Sequence, residues 1–228
     1  MSDQNPLFPA FLKLENLCVL LVGGGNVGLE KLTAILRNSP ETAVTVVSIT
    51  MLDELRELAA RHPRVQLVER AYTEADLDAH DIVFAATDDP GLHRTIVAAA
   101  RPRRLLVNVA DTPDLCDFYL SSVVVKGQLK VAVSTNGKSP TVGKRLRAVL
   151  EETLPEELDE VLAQMTVIRG RLAGDFANKV KSLNAVTAEL AGGKAYESPA
   201  TKRWRRVATG SLLAAGALLV SRLTRRPE

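Results

Sequence analysis

The residues best suited to chemistry begin with Gly23-Gly24-Gly25-Asn26-Val27-Gly28, which has the spacing G-x-G-x-x-G. In that pattern the first glycine allows a tight turn, the second lets a pyrophosphate approach the backbone, and the third permits close packing of the following helix. Free amides at the helix start, aligned with the helix dipole, then favour phosphate charge. The chemistry is dinucleotide binding. An acidic residue usually grips the adenosine ribose about 20 residues later, at the end of the second strand. That strand ends here in Ser48-Ile49-Thr50, with no carboxylate and no adjacent arginine for a 2′-phosphate. Local chemistry leaves NAD against NADP open, and Ser48, Ile49 and Thr50 border the expected cofactor site.

Ligands in open α/β sheets sit beyond the carboxyl ends of the strands. Thr87 and Asp88, after a fourth apolar run, and Asn108 to Asp111, after a fifth, are site candidates on that ground. Asp89 precedes Pro90 and reads as the cap of the next helix. Asp111 could accept protons if partial burial raised its pKa. Followed by Thr112-Pro113, it could equally close a turn. Lys138 and Ser139 precede Pro140 at a helix start, a good seat for carboxylates, although serine there is equally a plain cap. His62, His80 and His93 are scattered, none at metal-ligand spacing from a second ligand, so no metal site is expected. His62 and His93 read as exposed helical residues, and Cys18, in the first strand, as core. Cys116 has no flanking base and is assigned no nucleophilic role.

These residues need a scaffold. Leu17 to Val22, Val44 to Ile49, Val65 to Val68, Ile82 to Ala86 and Leu105 to Val109 are short apolar runs of the buried-strand kind. Helical spacing fills the intervals over 27–38, 52–60, 74–79 and 91–100. The alternation, up to about Asp111, predicts a doubly wound parallel α/β sheet of Rossmann type. Phe118 to Val125 and Leu129 to Val133 then flank Lys126-Gly127-Gln128 as a β-hairpin. A helix follows from Ser139-Pro140 to about Leu154. Apolar residues from Leu158 to Leu190 recur at three- and four-residue intervals, predicting two amphipathic helices or one broken near Gly170 and Gly174.

Composition narrows the class further. The chain has 228 residues, 46% hydrophobic and 25% charged, which excludes a disordered, collagen-like or disulfide-stapled protein. Its net charge of +2 is split: Lys202 to Glu228 holds seven basic residues and one acid, leaving 22 basic against 26 acidic residues elsewhere. The mildly acidic body argues against nucleic-acid binding. The N-terminus has no basic stretch before an apolar run, and the two free cysteines suit a reducing cytosol, so a cytoplasmic location is expected. Within the basic tail, Val207 to Val220 is uncharged but shorter than the ~20 residues of a spanning helix. Basic flanks and Trp204 suit peripheral membrane contact, while the lack of a polar face suits packing on protein.

Several motifs, in order, carry a family likeness. Phe8-Pro9-Ala10-Phe11-Leu12-Lys13-Leu14, Val22 to Val27, Ala86-Thr87-Asp88-Asp89, Asn108-Val109-Ala110-Asp111, Cys116-Asp117-Phe118 and Ser134 to Pro140 resemble the precorrin-2 dehydrogenases, the siroheme synthase N-terminal type. The resemblance covers about residues 7–190. It implies a homodimer with an NAD-binding Rossmann domain (1–112), a dimerisation and substrate segment (113–154) and a small helical domain (155–193). The linker and basic apolar tail (194–228) lie outside it. The implied reaction is oxidation of precorrin-2 to sirohydrochlorin with NAD as hydride acceptor; some relatives also insert ferrous iron, a substrate there, giving siroheme. Asp111 matches the family's catalytic aspartate. Asn108, Lys138 and Ser139 match its substrate side, and Lys144, Arg145 and Arg147 are plausible partners for the tetrapyrrole's carboxylates. Gly28 stands where the family often has alanine, a harmless change; Leu120 replaces a usual proline, and Asn136 a common glycine or serine. The methyltransferase domain of the larger siroheme synthases is absent, so precorrin-2 is expected from another protein. The competing reading is an NAD-sensing Rossmann module associated with a membrane protein. The segments at Asn108 and Lys138 speak for chemistry, since a sensor needs no second site.

Overall fold

The computed structural model describes residues 5–156, 158–171, 178 and 180. After a 3-10 turn at Leu14–Asn16, strand and helix alternate as β1 (Cys18–Gly24), α1 (Asn26–Asn38), β2 (Ala43–Met51), α2 (Asp53–Ala60), β3 (Val65–Glu69), β4 (Ile82–Ala85), α3 (Pro90–Ala100) and β5 (Leu106–Val109). The five strands pair in parallel in the order β3-β2-β1-β4-β5. This is the doubly wound arrangement that the alternation predicts.

Period-two side-chain direction sorts the central strand onto two cores. Val19 and Leu21 join Leu32, Ile35 and Leu36 of α1 and Leu55 of α2 on one face. Leu20 and Val22 join Ile96, Val97 and Ala100 of α3 on the other. Asp89 caps α3 as expected, its Oδ1 accepting from Gly91 N at 2.7 Å and Leu92 N at 3.1 Å. Those two amides, Leu92 first, hold its carboxyl below the usual range.

Three expectations are corrected. Cys18 is exposed rather than core, because β1 pairs with β4 only from Val19 onward; Cys18 N instead donates to Asp81 Oδ2 at 2.8 Å. The helix expected over 74–79 is one 3-10 turn, Glu74–Leu77, closed by a capping box between Thr73 and Asp76. The strand expected from Phe118 starts at Ser122, since Phe118 turns back onto the sheet. Its ring meets Phe84 edge to face, with centroids 5.4 Å apart and planes at 88°.

Beyond a 3-10 turn at Pro113–Leu115 come β6 (Ser122–Lys126), β7 (Leu129–Val133), α4 (Pro140–Thr153) and α5 (Leu158–Arg171). β6 and β7 form the expected hairpin. The chain divides into two compact units. One takes in the residues up to Val125 together with Lys130–Thr153. In it, Lys130 Nζ donates to Asn38 O at 2.5 Å, the carboxyl end of α1, where a cation suits the helix dipole. The other holds the hairpin tip, Lys126–Leu129, and the chain from Leu154. There Lys126 pairs with Glu156, and Asp159 Oδ1 accepts from Gln128 N at 2.7 Å. α5 extends to Arg171, and a break near Gly174 would lie outside the described residues. The expected helical residues 172–193, apart from Asn178 and Val180, and the tail 194–228 lie outside the described residues. Among the described residues no helix is long and apolar enough to cross a membrane.

Candidate functional site

The carboxyl edge of the sheet is held together by backbone bonds. Ala86 N donates to Val22 O at 2.8 Å and Ala110 N to Ala85 O at 2.9 Å, so the ends of β1, β4 and β5 lie side by side. The glycine turn sits on this edge. Gly23 has φ +120°, and a Cβ there would lie 2.3 Å from Ala86 O. A Cβ at Gly28 would lie 2.1 Å from Gly23 O, so α1 packs closer than an alanine allows. Glycine at 28 is a requirement of this chain rather than a neutral exchange. Gly25 is exposed and a Cβ there meets nothing within 4 Å. It is the N-cap of α1, and no side chain bonds the first amides of the helix. An open approach to uncapped helix amides is the cradle a pyrophosphate needs. The residues present fit a dinucleotide.

Ser48 explains the missing acid at the end of β2. Its hydroxyl accepts from Gly24 N at 2.9 Å and donates to Thr50 O at 2.7 Å. The side chain braces the glycine turn instead of gripping a ribose. Leu52 N adds a bond to Gly24 O at 2.9 Å. Ile49, 73% exposed, and Thr50 border the open side, as do exposed Asn26 and half-buried Val27.

At the end of β4, Asp88 is exposed and Thr87 half-buried. His93 is corrected here: it is 5% exposed, and its Nε2 stands 3.0 Å from Thr87 Oγ1.

Asp111 follows β5 by two residues, exposed, with φ +54°. That left-handed conformation is uncommon outside glycine and is stored where the surroundings enforce it. The enforcing contacts lie just downstream. Val109 N donates to Cys116 Sγ at 3.2 Å, and the single Cys116 S–H has Val109 O at 3.2 Å and Thr112 O at 3.4 Å as acceptors within reach. Asp117 closes a pair with Val107, taking its N–H on Oδ2 at 2.9 Å and donating its own to Val107 O at 2.8 Å. Burial pushes the Cys116 thiol up, so it stays protonated and able to donate. Asn108, expected on the substrate side, is 6% exposed and its Nδ2 donates to Phe118 O at 2.8 Å. It holds the returning chain. Sequence reasoning missed this clamp, and the available signal was Cys116-Asp117-Phe118 soon after a strand.

Lys138 and Ser139 stand at the start of α4. Ser139 Oγ accepts from Val142 N at 3.2 Å, a helix cap. Thr135 Oγ1 accepts from Ser139 N and donates to Ser139 O, each at 3.2 Å. Lys138, Lys144 and Arg145 are exposed, while Arg147 faces Glu151 at 3.9 Å. Asn136 has φ +54°, which accounts for asparagine where glycine is common, since asparagine tolerates that region best among the other residues. Among the described residues no hydrogen bond or ion pair joins this segment to the strand ends.

A family model of NAD(P)-binding domains matches residues 10–122, and the model of the sirohaem biosynthesis protein central segment matches residues 126–153. The siroheme synthase of Thioalkalivibrio sulfidiphilus is 40% identical over 148 residues, 65% of this chain and 30% of that protein. The siroheme synthase of Methylococcus capsulatus is 35% identical over 173 residues, 76% of this chain and 34% of that one. The solved structure of SirC, precorrin-2 dehydrogenase, shares the fold with a TM-score of 0.62 at 24% identity, over 79% of this chain and 89% of that one. Fold and site thus define a Rossmann-type NAD(P)-binding protein. With both segments matched in chain order, the chain belongs to the siroheme synthase N-terminal family that its motifs resemble. It spans about a third of the length of these siroheme synthases.

Proposed function

We propose that this protein oxidises precorrin-2 to sirohydrochlorin with NAD. One observation carries the reading: Asp111, in an enforced left-handed conformation at the end of β5, shares the carboxyl edge with the glycine turn. When bound, the nicotinamide supplies the hydride acceptor. The macrocycle loses one hydride and one proton, and Asp111 is placed to take the proton. The clamp of Cys116, Asp117 and Asn108 holds its loop still. Lys138, exposed at the positive end of the α4 dipole, offers a counter-charge for acetate and propionate groups, and Lys144 and Arg145 extend it. The same aspartate would take pyrrole protons as ferrous iron, a substrate, enters the product.

Exposed Val142, Leu146 and Val149 recur at helical spacing along α4 and support a homodimer joined there. The +6 tail with its apolar run supports contact with an anionic membrane surface by an otherwise cytoplasmic enzyme.

Anaerobic incubation with precorrin-2 and NAD tests the reaction. The expected result is a sirohydrochlorin spectrum with matching NADH formation, lost in a folded Asp111→Ala variant. A protein that binds NADH but leaves precorrin-2 unchanged is instead a nucleotide sensor. Metallation of sirohydrochlorin by ferrous ion, with and without protein, tests the second step.

A further inference from the structure

His93 is the buried titratable group for which the reaction above has no use. It sits in the first turn and a half of α3, in helical register with Ile96, Val97 and Ala100 of the core. A buried imidazole needs a partner, and the partner found is Thr87 Oγ1 at 3.0 Å. Thr87 in turn adjoins the glycine turn, its backbone N lying 3.1 Å from the point a Gly23 Cβ would occupy. Thr87 Oγ1 also receives Asp89 N at 3.4 Å.

A hydroxyl has two acceptor positions and one proton. We propose that His93 is a positioning residue for the dinucleotide. Its Nε2–H donates to one lone pair of Thr87 Oγ1 while Asp89 N–H occupies the other, which leaves the threonine proton aimed away from both, at an oxygen of the cofactor beside Gly23. The opposite tautomer would draw that proton inward onto His93 and leave no donor for a ligand. This rests on reading the strand ends as the cofactor site.

The test is NADH binding, by fluorescence titration of the full chain, with thermal melting as a check of folding. In His93→Gln the amide nitrogen stands where Nε2 does, and binding stays near the wild type. In His93→Asn the amide stands where Nδ1 does, cannot reach Thr87, and binding weakens by about three- to tenfold. Thr87→Val weakens it by a similar factor, and in that background His93→Asn adds no further loss. Equal binding by wild type and His93→Asn, or losses that multiply in the double variant, would overturn the inference while leaving the cofactor reading intact. Equal weakening by Gln and Asn would also overturn it, because packing alone would then explain the histidine. Failure of the wild type to bind NADH overturns the cofactor reading and this inference with it.

Discussion

Replacing Gly23 and Gly25 in turn by alanine separates the two duties of the glycine turn. At Gly23, φ is +120°, and holding an L side chain there costs about 1–3 kcal/mol. The new Cβ would also stand 2.3 Å from Ala86 O and 2.6 Å from its carbonyl carbon. Both neighbours are backbone, so β1 and β4 must separate, and overpacking of this kind costs about 1–3 kcal/mol. Taken at mid-range, the sum is about 4 kcal/mol, or a fall of roughly 8–16 °C in melting temperature for a chain of this size. Gly25 has φ −85° and open space where its Cβ would go. Alanine there loses only a preferred cap residue, a cost below about 1 kcal/mol. The same open space is what a pyrophosphate requires, so Gly25→Ala should weaken NADH binding by at least about tenfold, 1.4 kcal/mol. Melting followed by circular dichroism and an NADH titration read the two effects apart. A Gly25→Ala protein that binds NADH like the wild type refutes the cradle. A Gly23→Ala protein with unchanged melting refutes the close approach of β1 to β4.

The two thiols should differ in reactivity: exposed Cys18 labels fast at neutral pH, while Cys116, partly buried and with its pKa raised by burial, labels slowly. Two fast thiols, or a fast phase surviving Cys18→Ser, would contradict the clamp. Lys130→Met keeps the aliphatic stem but removes the bond to Asn38 O, and should lower stability by about 1 kcal/mol; an unchanged melt would show that the end of α1 needs no cation. Asp76 is held below the usual carboxylate range chiefly by Arg70, with the Thr73 amide adding and partial burial opposing. Its folded value lies below the unfolded one, so its stabilisation is complete above about pH 4 and fades as pH falls through the depressed value. The deficit of Asp76→Asn, about 1 kcal/mol with Arg70 well exposed, should therefore be seen near pH 7 and shrink in acid. A deficit constant with pH would assign it to packing.

The sheet was legible because each of its strands is a short apolar run closed by turn residues, and strand bounds moved by only a residue or two at most ends. The misses have physical causes. Phe118 opens a run that reads as strand in any local window, and only the presence of Phe84 draws it, half-buried, against the core of the parallel sheet. Cys18 was read as core from a run whose first position lies outside the pairing with β4. For His93 the signal was present and passed over: spacings of three, four and seven to Ile96, Val97 and Ala100 put it on the buried face of α3.

At the site itself, residue types and strand ends were legible, but the duty of each hydroxyl was not. Position 48 shows why. A ribose-binding acid is expected at this end of the second strand, over residues 48–50, and a carboxylate is an acceptor only. In this chain the side chain at 48 must accept from Gly24 N and donate to Thr50 O, which a hydroxyl does and an ionised carboxylate cannot. The serine is thus not a weakened version of the usual residue but a brace for the glycine turn. The same logic holds at β5. Asp111 keeps a conformation that L residues avoid because Cys116, Asp117 and Asn108 fasten the chain on both sides of it. Of those three, only Asn108 reads in the sequence as a candidate for the site. Their hydrogen bonds, with Asn108 buried and Cys116 half-buried, give them the structural task of fastening the chain around one exposed carboxylate at the end of β5.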